Sequence, residues 1–583
     1  MSFAYLSKKH MHHLSRNVLL TGTVLSIGLS ACSTSQISKP TSEPSITTVS
    51  PPVAVSASEP AMNSLSAPYA EMSNMTKTRV DARTGVYPMP IVVNDMPPAR
   101  DNYQKNDANP VHRTTDLAVS TLSTDTDTGS YANVRRYLNE GQLPPVDAVR
   151  VEELINYFNY SFDDGKRLGN APFVVAIDVV DSPWDRADQD NKIIKVGIKA
   201  VDNNWVKSNK NQTMPPANLV FLVDVSGSMS SRDKLPLAQS SLKLLVEQMR
   251  AQDTISMVTY SGSTNVVLPA TSGNQKAKIL AAIDTLKADG STNGEDALKL
   301  AYRQAEQSMK KNGINRIMML TDGDFNVGIS NVDDMLDLVK ANRDRGISLS
   351  TVGFGRGNLN DYMMEQMADN GNGNYSYIDS LTEAKKVFGD ELAATFNTVA
   401  KDVKVQVEFN PALVSEWRLI GYENRLLNEQ DFNNDKVDAG ELGAGKAVIA
   451  LYEVTPTGKK GLYNDRRYSN KSNSKSTQNL SELAYLNIRY KAPVGGSSKL
   501  ISQPIAKNSR ALNNANSDTQ FAIAVAGFGQ RLAQSEYIND WQYKDSAALA
   551  SSVLARQPSS DKEGIRRNFV TLTELATALE RNK

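Results

Sequence analysis

The sequence predicts a multidomain α/β protein, in which a parallel sheet with helices on both faces is flanked by, or inserted in, a β-sandwich, with terminal helices. Three observations predict this architecture. The chain has 583 residues, well beyond the roughly 150 residues of a typical domain. Strands and helices alternate from about residue 218 to 378, as in a parallel sheet covered on both faces. Strand-like segments lie on either side of that region, at 173–199 and 403–490.

The N-terminal segment has the pattern of a signal for export. Basic residues without any acidic one precede a short apolar run, Val18–Ala31, which is too short to cross a membrane as a helix. The run ends in Leu29-Ser30-Ala31-Cys32. This sequence resembles the lipobox of bacterial lipoproteins, and Cys32 is the only cysteine of the chain. We therefore predict a lipoprotein signal peptide at 1–31 and lipidation at Cys32.

The residue after the cysteine and the segment that follows it suggest where the protein resides. Ser33 stands where an Asp would indicate retention at the inner membrane, so by analogy with lipoprotein sorting we expect the outer membrane of the bacterial envelope, on its periplasmic or surface face. Residues 32–107 are rich in Ser, Thr and Pro without a sustained apolar period. This composition predicts a disordered tether that links the lipid anchor in the membrane to the folded part.

Two flanking regions surround the alternating α/β part. Residues 108–212 are predicted as a helical and β flanking region, and 399–583 as a C-terminal β plus helical domain. The predicted elements are helices within 115–165, 518–535 and 562–580, and strands at 173–180, 192–199, 403–409, 447–454 and 483–490. We expect both groups of strands to form one sandwich, which requires the connectors near 201–216 and 395–402 to lie close in space.

Polar residues follow two predicted strands of the α/β region, residues 213–398. Asp224-Val225-Ser226-Gly227-Ser228 comes directly after the strand Leu219–Val223, and Thr321-Asp322-Gly323 comes after Ile317–Leu320. The loop Gly290–Gly294 offers another hydroxyl. The carboxyl ends of strands are where open α/β sheets place ligands, and carboxylate and hydroxyl oxygens suit Mg²⁺. We expect the two strands to be adjacent and the end of the first to face solvent.

This set of residues resembles the metal ion-dependent adhesion site of von Willebrand factor A domains. That motif is Asp-x-Ser-x-Ser, a Thr in a later loop, and an Asp at a strand end. The matching residues are Asp224, Ser226, Ser228, Thr292 and Asp322. The resemblance implies a site for Mg²⁺ (or Mn²⁺ or Ca²⁺) with a position left open for an Asp or Glu of a protein ligand, and therefore metal-dependent protein binding.

Two further segments resemble the flanking regions of a bacterial von Willebrand A lipoprotein family of the YfbK type. One is 125–136, Asp-Thr-Asp-Thr-Gly-Ser-Tyr-Ala-Asn-Val-Arg-Arg, and the other is 431–441. The family has no well-defined biochemical role, so the resemblance implies an architecture more than an activity.

The rare residues limit the possible chemistry. The chain has four histidines, and three precede Cys32, so a nucleophile–histidine site would have to use His112. We predict no enzymatic activity. A metal-dependent hydrolase with a carboxylate base such as Asp324 stays open as an alternative, as does a purely structural envelope protein. Lys plus Arg and Asp plus Glu both number 64, which gives no electrostatic basis for nucleic-acid binding.

Three local motifs have plainer interpretations than their residue types first suggest. The acids of Asp125–Gly129 fit a turn and a helix N-terminus better than a metal site. The run 431–441 is predicted to be a solvated loop and not an EF-hand, because Lys436 stands where Gly is needed. Gly353–Gly357 is predicted to be a tight turn because its glycine spacing does not fit a dinucleotide-binding loop.

Overall fold

The structure, a computed structural model, describes residues 101–185, 189–201, 215–291, 294–324, 332–395, 397–464, 466, 479–493 and 495–581. The predicted signal peptide, Cys32 and nearly all of the predicted tether lie outside these residues, as do Thr292 and most of the connector 201–216. The described residues belong to one compact unit.

Strands and helices alternate irregularly along the described ranges. The strands are β1 (His112–Arg113), β2 (Val119–Ser123), β3 (Lys166–Arg167), β4 (Phe173–Asp181), β5 (Lys192–Ala200), β6 (Ala217–Asp224), β7 (Thr254–Tyr260), β8 (Thr264–Ser272), β9 (Ile314–Thr321), β10 (Ser348–Phe354), β11 (Tyr375–Ile378), β12 (Thr398–Phe409), β13 (Val414–Ile420), β14 (Leu442–Gly443), β15 (Ala447–Pro456), β16 (Glu482–Lys491) and β17 (Lys499–Ala506). The helices are α1 (Gly129–Asn139), α2 (Val151–Asn156), α3 (Leu235–Gln248), α4 (Lys276–Asp284), α5 (Gly294–Gln307), α6 (Val332–Arg343), α7 (Asp361–Asn370), α8 (Leu381–Lys385), α9 (Leu392–Thr395), α10 (Ser517–Leu532), α11 (Tyr543–Arg556) and α12 (Ile565–Arg581).

The central α/β region forms the predicted sheet, in the order β11-β10-β9-β6-β7-β8. Its strands are parallel except for the edge strand β8, which pairs antiparallel with β7. Every residue of the central strand β6 is buried, because helices cover both faces. Helices α3 and α4 pack on one face and α5 and α6 on the other, as expected for strands that are continuous apolar runs.

The two flanking regions form a single β-sandwich. One sheet has the order β1-β13-β15-β5-β4-β3 and therefore joins strands from both sides of the α/β region, since β15 pairs with β5. The other sheet consists of β14-β12-β16-β17, with β2 paired to β12. Apolar side chains of both sheets share one core. The predicted sandwich with an inserted α/β region is thus confirmed.

Both ends of the inserted region meet at the same turn of the sandwich. The amide of Gly445 donates to the carbonyl of Val201 at 3.1 Å, and the amide of Ala444 donates to the carbonyl of Asn397 at 2.9 Å. Val201 follows β5 and Asn397 precedes β12. The connectors therefore begin and end side by side, which is the geometry that tolerates insertion of a domain.

Several elements differ from the prediction. Val119–Ser123 lies in the segment predicted as helical but is a strand, because its alternating Ser and Thr pair with β12 at an edge. Among the elements of seven or more residues, four were missed: the strands Val414–Ile420 and Lys499–Ala506, and the helices Asp361–Asn370 and Tyr543–Arg556. In β17 the apolar residues Leu500, Ile501 and Ile505 do not alternate regularly and most positions are exposed, so no clear apolar period marks this edge strand.

Buried arginines fasten the α/β region to the flanking body. We call Arg135, Arg150 and Arg425 the docking arginines. Arg135 lies on α1 and bonds both oxygens of Asp379 at 2.6 and 2.5 Å; Arg150 precedes α2 and reaches Asp361 at 2.6 Å. Both carboxylates belong to the α/β region. The orientation of the inserted domain is therefore fixed by charged contacts that exclude water.

Arg425 completes this network from the sandwich side. It contacts Asp127 at 2.9 Å and, on α7, Asp369 at 2.6 Å and Glu365 at 3.5 Å. Asp127 also accepts a hydrogen bond from the backbone amide of Tyr375 at 2.9 Å. The predicted helix N-terminus is present, since α1 begins at Gly129, but no side chain caps it. The Asp127 carboxylate instead links three parts of the fold.

The acidic run 431–441 is a loop, as predicted, and an ammonium lies within it. The Nζ of buried Lys404 donates to the carbonyls of Asp431 at 2.9 Å and Asn434 at 2.6 Å. Carbonyl oxygens that could face a metal are thus occupied by a side chain of β12.

Among the helices of the described ranges, none has the length and apolar character that a membrane crossing requires.

Removal of Arg425 tests the docking network. The variant R425Q leaves buried Asp127 without its ion-pair partner and removes one cation from Asp369 and Glu365 of α7, so we expect the free energy of unfolding to fall by about 3–5 kcal/mol. The measurement is urea unfolding followed by circular dichroism. The control R345Q removes an exposed partner of Glu306 and should change this free energy by about 0–1 kcal/mol. Equal effects of the two variants would contradict the role of the network.

Candidate metal centre

Asp224 ends the central strand β6 and is completely buried. Its Oδ1 accepts a hydrogen bond from the backbone amide of Ser226 at 2.9 Å, and its Oδ2 accepts one from Thr321 Oγ1 at 3.0 Å. Two elements therefore hold this carboxylate: its own loop and the end of the neighbouring strand β9. The expectation that the end of β6 faces solvent is wrong for Asp224, whose exposure is 0%, because the loop after the strand folds back over it.

The two serines of the motif lie together on that loop. Ser226 Oγ and Ser228 Oγ are 3.0 Å apart; Ser226 is buried, whereas Ser228 is exposed. The amide of Gly227 donates to the carbonyl of Gly290 at 3.0 Å. The loop that leads to Thr292 is thereby brought beside the serines, while Thr292 itself lies outside the described residues.

Asp322 follows β9, which pairs directly with β6 as predicted. Its Oδ1 accepts a hydrogen bond from the amide of Asp324 at 3.1 Å. The next residue, Gly323, has a φ of +88°, and a Cβ there would lie 2.3 Å from the backbone nitrogen of Asn360. Glycine is therefore required for the turn that points the Asp322 carboxylate toward the serine loop.

Lys234 also belongs to the site, although the sequence analysis did not predict it. Its Nζ lies 2.9 Å from Asp322 Oδ2 and 2.8 Å from Asn358 Oδ1, and the side chain is buried. A sequence signal did exist, because a buried carboxylate requires a cationic partner. Lys234 is the basic residue immediately before α3, six residues after Ser228, but spacing alone did not distinguish it from an exposed lysine.

The two carboxylates have opposite pKa shifts. Burial raises the pKa of Asp224 to about 6, and the nearby Asp322 adds to the shift. Burial also acts on Asp322, but the Lys234 ammonium and the hydrogen bonds from Lys234, Asn358 and Ser228 hold its pKa below the ordinary value. Within the described residues the Lys234 ammonium pairs with Asp322 and no cation pairs with Asp224, so the site carries an uncompensated negative charge when both acids are ionised.

These residues fit a hard divalent cation. Asp224 makes no ion pair within the portion of the chain that the structure describes, and its neighbours are carboxylate and hydroxyl oxygens, which Mg²⁺ and Mn²⁺ prefer. The exposed Ser228 marks the side that is open to solvent. Asp224, Ser226, Ser228 and Asp322 would hold the ion, which would supply the missing positive charge and a coordination position for an external oxygen.

A second group of carboxylates is not a comparable site. Side-chain oxygens of Asp127, Glu153 and Glu365 all lie within 4.8 Å of one another. Arg150 contacts Glu153 and Arg425 contacts Asp127, so two guanidinium groups already occupy the space around these acids. Burial raises the pKa of Glu153 to about 7. We therefore assign this group to the docking of the domains.

The fold and the residues at the strand ends define a von Willebrand factor A-domain protein. The sequence profile of the von Willebrand factor type A domain matches residues 218–390, and a von Willebrand factor profile matches 97–194. Inter-alpha-trypsin inhibitor heavy chain H3 of Homo sapiens is 29% identical over 281 residues, which is 44% of this chain and 31% of that protein. A von Willebrand factor type A structure from Catenulispora acidiphila aligns with 69% of this chain and 91% of its own, at 14% identity and a TM-score of 0.37.

The flanking regions identify the family within this class. The profile of the YfbK C-terminal region matches residues 394–579. The YfbK protein of Escherichia coli strain K12 is 46% identical over 484 residues, 82% of this chain and 81% of that protein. This chain belongs to the YfbK family of von Willebrand A-domain proteins, as the segments 125–136 and 431–441 predicted.

Replacement of Lys234 tests the charge balance of the site. In K234M, buried Asp322 loses the ammonium that it pairs with, so we expect a lower thermal unfolding midpoint in EDTA and a larger rise of that midpoint on adding Mg²⁺ than in the wild type. Thermal unfolding with and without Mg²⁺ measures both. The control K243M removes an exposed partner of Asp284. An Mg²⁺-induced rise in K234M that is no larger than in the wild type or K243M would contradict this electrostatic assignment.

Proposed function

We propose that this protein is a lipid-anchored scaffold of the bacterial envelope that binds a partner protein through a divalent metal ion. The ion is held by Asp224, Ser226, Ser228, Thr292 and Asp322, and is Mg²⁺ or the similar Mn²⁺ or Ca²⁺. The observation that carries the proposal is the convergence of two buried carboxylates and two hydroxyls at the ends of adjacent strands, where Ser228 is exposed and one ammonium of the described residues, that of Lys234, lies beside them.

The chemistry of such a site explains why the partner would present an acid. Mg²⁺ takes about six oxygen ligands and usually keeps several waters, so the protein ligands leave a position on the side of Ser228. A carboxylate of the partner adds the third negative charge beside the metal, Lys234 and the two aspartates. Direct coordination is directional, unlike an exposed ion pair, which contributes about 0–1 kcal/mol.

Two features support binding in preference to hydrolysis at this site. Both carboxylates accept hydrogen bonds from the protein, so each is engaged in holding its own loop. His112 is the histidine that would remain after cleavage before Cys32. It lies on β1 of the sandwich and packs on Trp417, with ring centroids 4.8 Å apart. Hydrolysis of generic phosphate or acyl esters in the presence of Mg²⁺ and loss of that hydrolysis in S228A would favour the enzyme instead.

Substitution within the metal site tests partner binding. Because Asp224 is buried, D224A removes the acceptor of the Thr321 hydroxyl and of the Ser226 amide and costs about 1–3 kcal/mol of stability. Ser228 is exposed, so S228A removes a metal ligand at a smaller cost in stability and is the more specific test of metal binding. Both should abolish Mg²⁺-dependent crosslinking of a partner on intact cells, as EDTA should in the wild type.

The matched control is S231A, which changes an exposed serine three residues further along the same loop. It should crosslink like the wild type. The same partner captured by wild type, S228A and D224A, with or without EDTA, would defeat metal-dependent binding and favour a structural role for the protein in the envelope.

Lipid anchoring is tested at Cys32. Several acyl chains hold a protein firmly to a bilayer, because each buried CH₂ contributes roughly 0.8 kcal/mol. In C32S we expect loss of labelling by palmitate and release of the protein from the membrane fraction, with the outer-membrane fraction holding the wild type. A C32S protein that still labels and sediments with membranes would show that the anchor lies elsewhere.

A further inference from the structure

A cavity of about 360 Å³ lies between the A domain and the flanking body. Its floor is the sheet of the A domain, where Arg316 and Met318 of β9 and Ser350 of β10 line it. Its opposite wall comes from the turn between β14 and β15 and from the segment before α1. The exposed residues Asn159 and Glu563 lie at its rim. This space is distinct from the metal centre, which is at the other end of the same strands.

Arg316 is a buried cation without an ion pair among the described residues. Its exposure is 7%; one terminal nitrogen donates to Ser350 Oγ at 2.6 Å, while Nε has no hydrogen-bond partner in the described part of the fold. Burial accordingly lowers the pKa of Arg316. Burying a guanidinium without an ion pair costs free energy. The docking arginines avoid this cost, because each of them contacts at least two carboxylates.

The remaining charges of the cavity are arranged around this guanidinium. Asp125 and Glu441 line the cavity and are the acids whose charge acts on Arg316, but neither is within ion-pair distance of it. Lys386 is already paired with Glu391 at 2.6 Å. Lys446, which also lines the cavity, donates to the carbonyl of Thr126 at 3.2 Å, and Glu441 is paired with Lys401 at 3.3 Å. Among the described residues the cavity therefore offers one guanidinium without an ion pair at its floor and carboxylates a short distance away.

We propose that this cavity binds a small zwitterion, a free amino acid or short peptide, whose carboxylate pairs with Arg316 and whose ammonium faces Asp125 and Glu441. A carboxylate matches the two-nitrogen edge of a guanidinium. A ligand with only negative charge, such as phosphate, would meet the two acids unfavourably. The volume falls in the range of 300–1,000 Å³ that is typical of small-molecule pockets.

The ligand class is tested by thermal unfolding and calorimetric titration of the full-length protein. The probes are L-alanine, the other protein amino acids and alanyl-alanine, each compared with N-acetylated and amidated forms of the same molecule. We expect at least one zwitterion to bind and to raise the unfolding midpoint. The amide, which lacks the carboxylate, should bind at least about tenfold more weakly, and the N-acetylated form should also be weaker.

Variants of Arg316 separate binding from folding. Because Arg316 has no ion pair to lose, R316Q should leave the unfolding midpoint of the ligand-free protein unchanged or higher, while weakening the best probe by about tenfold or more. The control R303Q makes the same change at an exposed position of α5 and should bind like the wild type. E441Q should weaken the zwitterion but not its N-acetylated form.

Several results would overturn the proposal. One is that no amino acid or dipeptide binds the wild type. Another is that R316Q and the wild type bind the probe equally, and a third is that the N-acetylated and free forms bind alike. A large fall in the midpoint of ligand-free R316Q would assign the guanidinium a structural role instead. None of these results depends on Mg²⁺ or on the metal centre, so the outcome is independent of the proposed partner binding.

Discussion

The docking of the A domain on the flanking body depends on buried arginines, each of which needs its carboxylate partners in place to remain paired. A buried ion pair gains little over an apolar contact, but a missing partner leaves a desolvated charge. Arg135, Arg150 and Arg425 are therefore strong determinants of geometry, because a shift of the domain would break several contacts together. Two residues of the segment 125–136 take part in these contacts: Arg135 pairs with Asp379 of the A domain, and Asp127 pairs with Arg425 of the sandwich.

Apolar patterns in the sequence predicted most of the architecture. The strands of the A domain are continuous buried runs, and the sandwich strands 173–180 and 447–454 alternate or run together, so their periodicity is visible without a partner. Elements that are stabilised by strand pairing or by ion pairs with distant segments have no such apolar pattern and could not be predicted from it. Strand β2 is mostly Ser and Thr and forms because β12 offers it an edge, and α7 is positioned by charged contacts of Asp361 and Glu365 with the docking arginines.

The candidate metal site was predictable to the extent that its residues follow buried strands. Asp224 and Asp322 could be paired because the ends of adjacent parallel strands meet at one edge, and the structure brings both to the serine loop. Lys234 could not be found in the same way, since its ammonium reaches Asp322 from the loop before α3 and nothing in local spacing indicates that approach. The role of Asp127 was missed for the same reason, because its partners lie 248 and 298 residues away along the chain.

Strand β9 connects the metal centre and the cavity, since Arg316 lies near its start and Asp322 follows its end. Six residues of extended chain span about 20 Å, a distance at which two unit charges interact by only about 0.8 kcal/mol at an effective dielectric constant of about 20. Charges bound at one end therefore contribute little electrostatic energy at the other. Any coupling between the two sites would have to pass through packing, along a buried strand whose neighbours β6 and β10 also contact both ends. The dense packing of that sheet resists small displacements, so the two sites are best regarded as separate functions that share one rigid support.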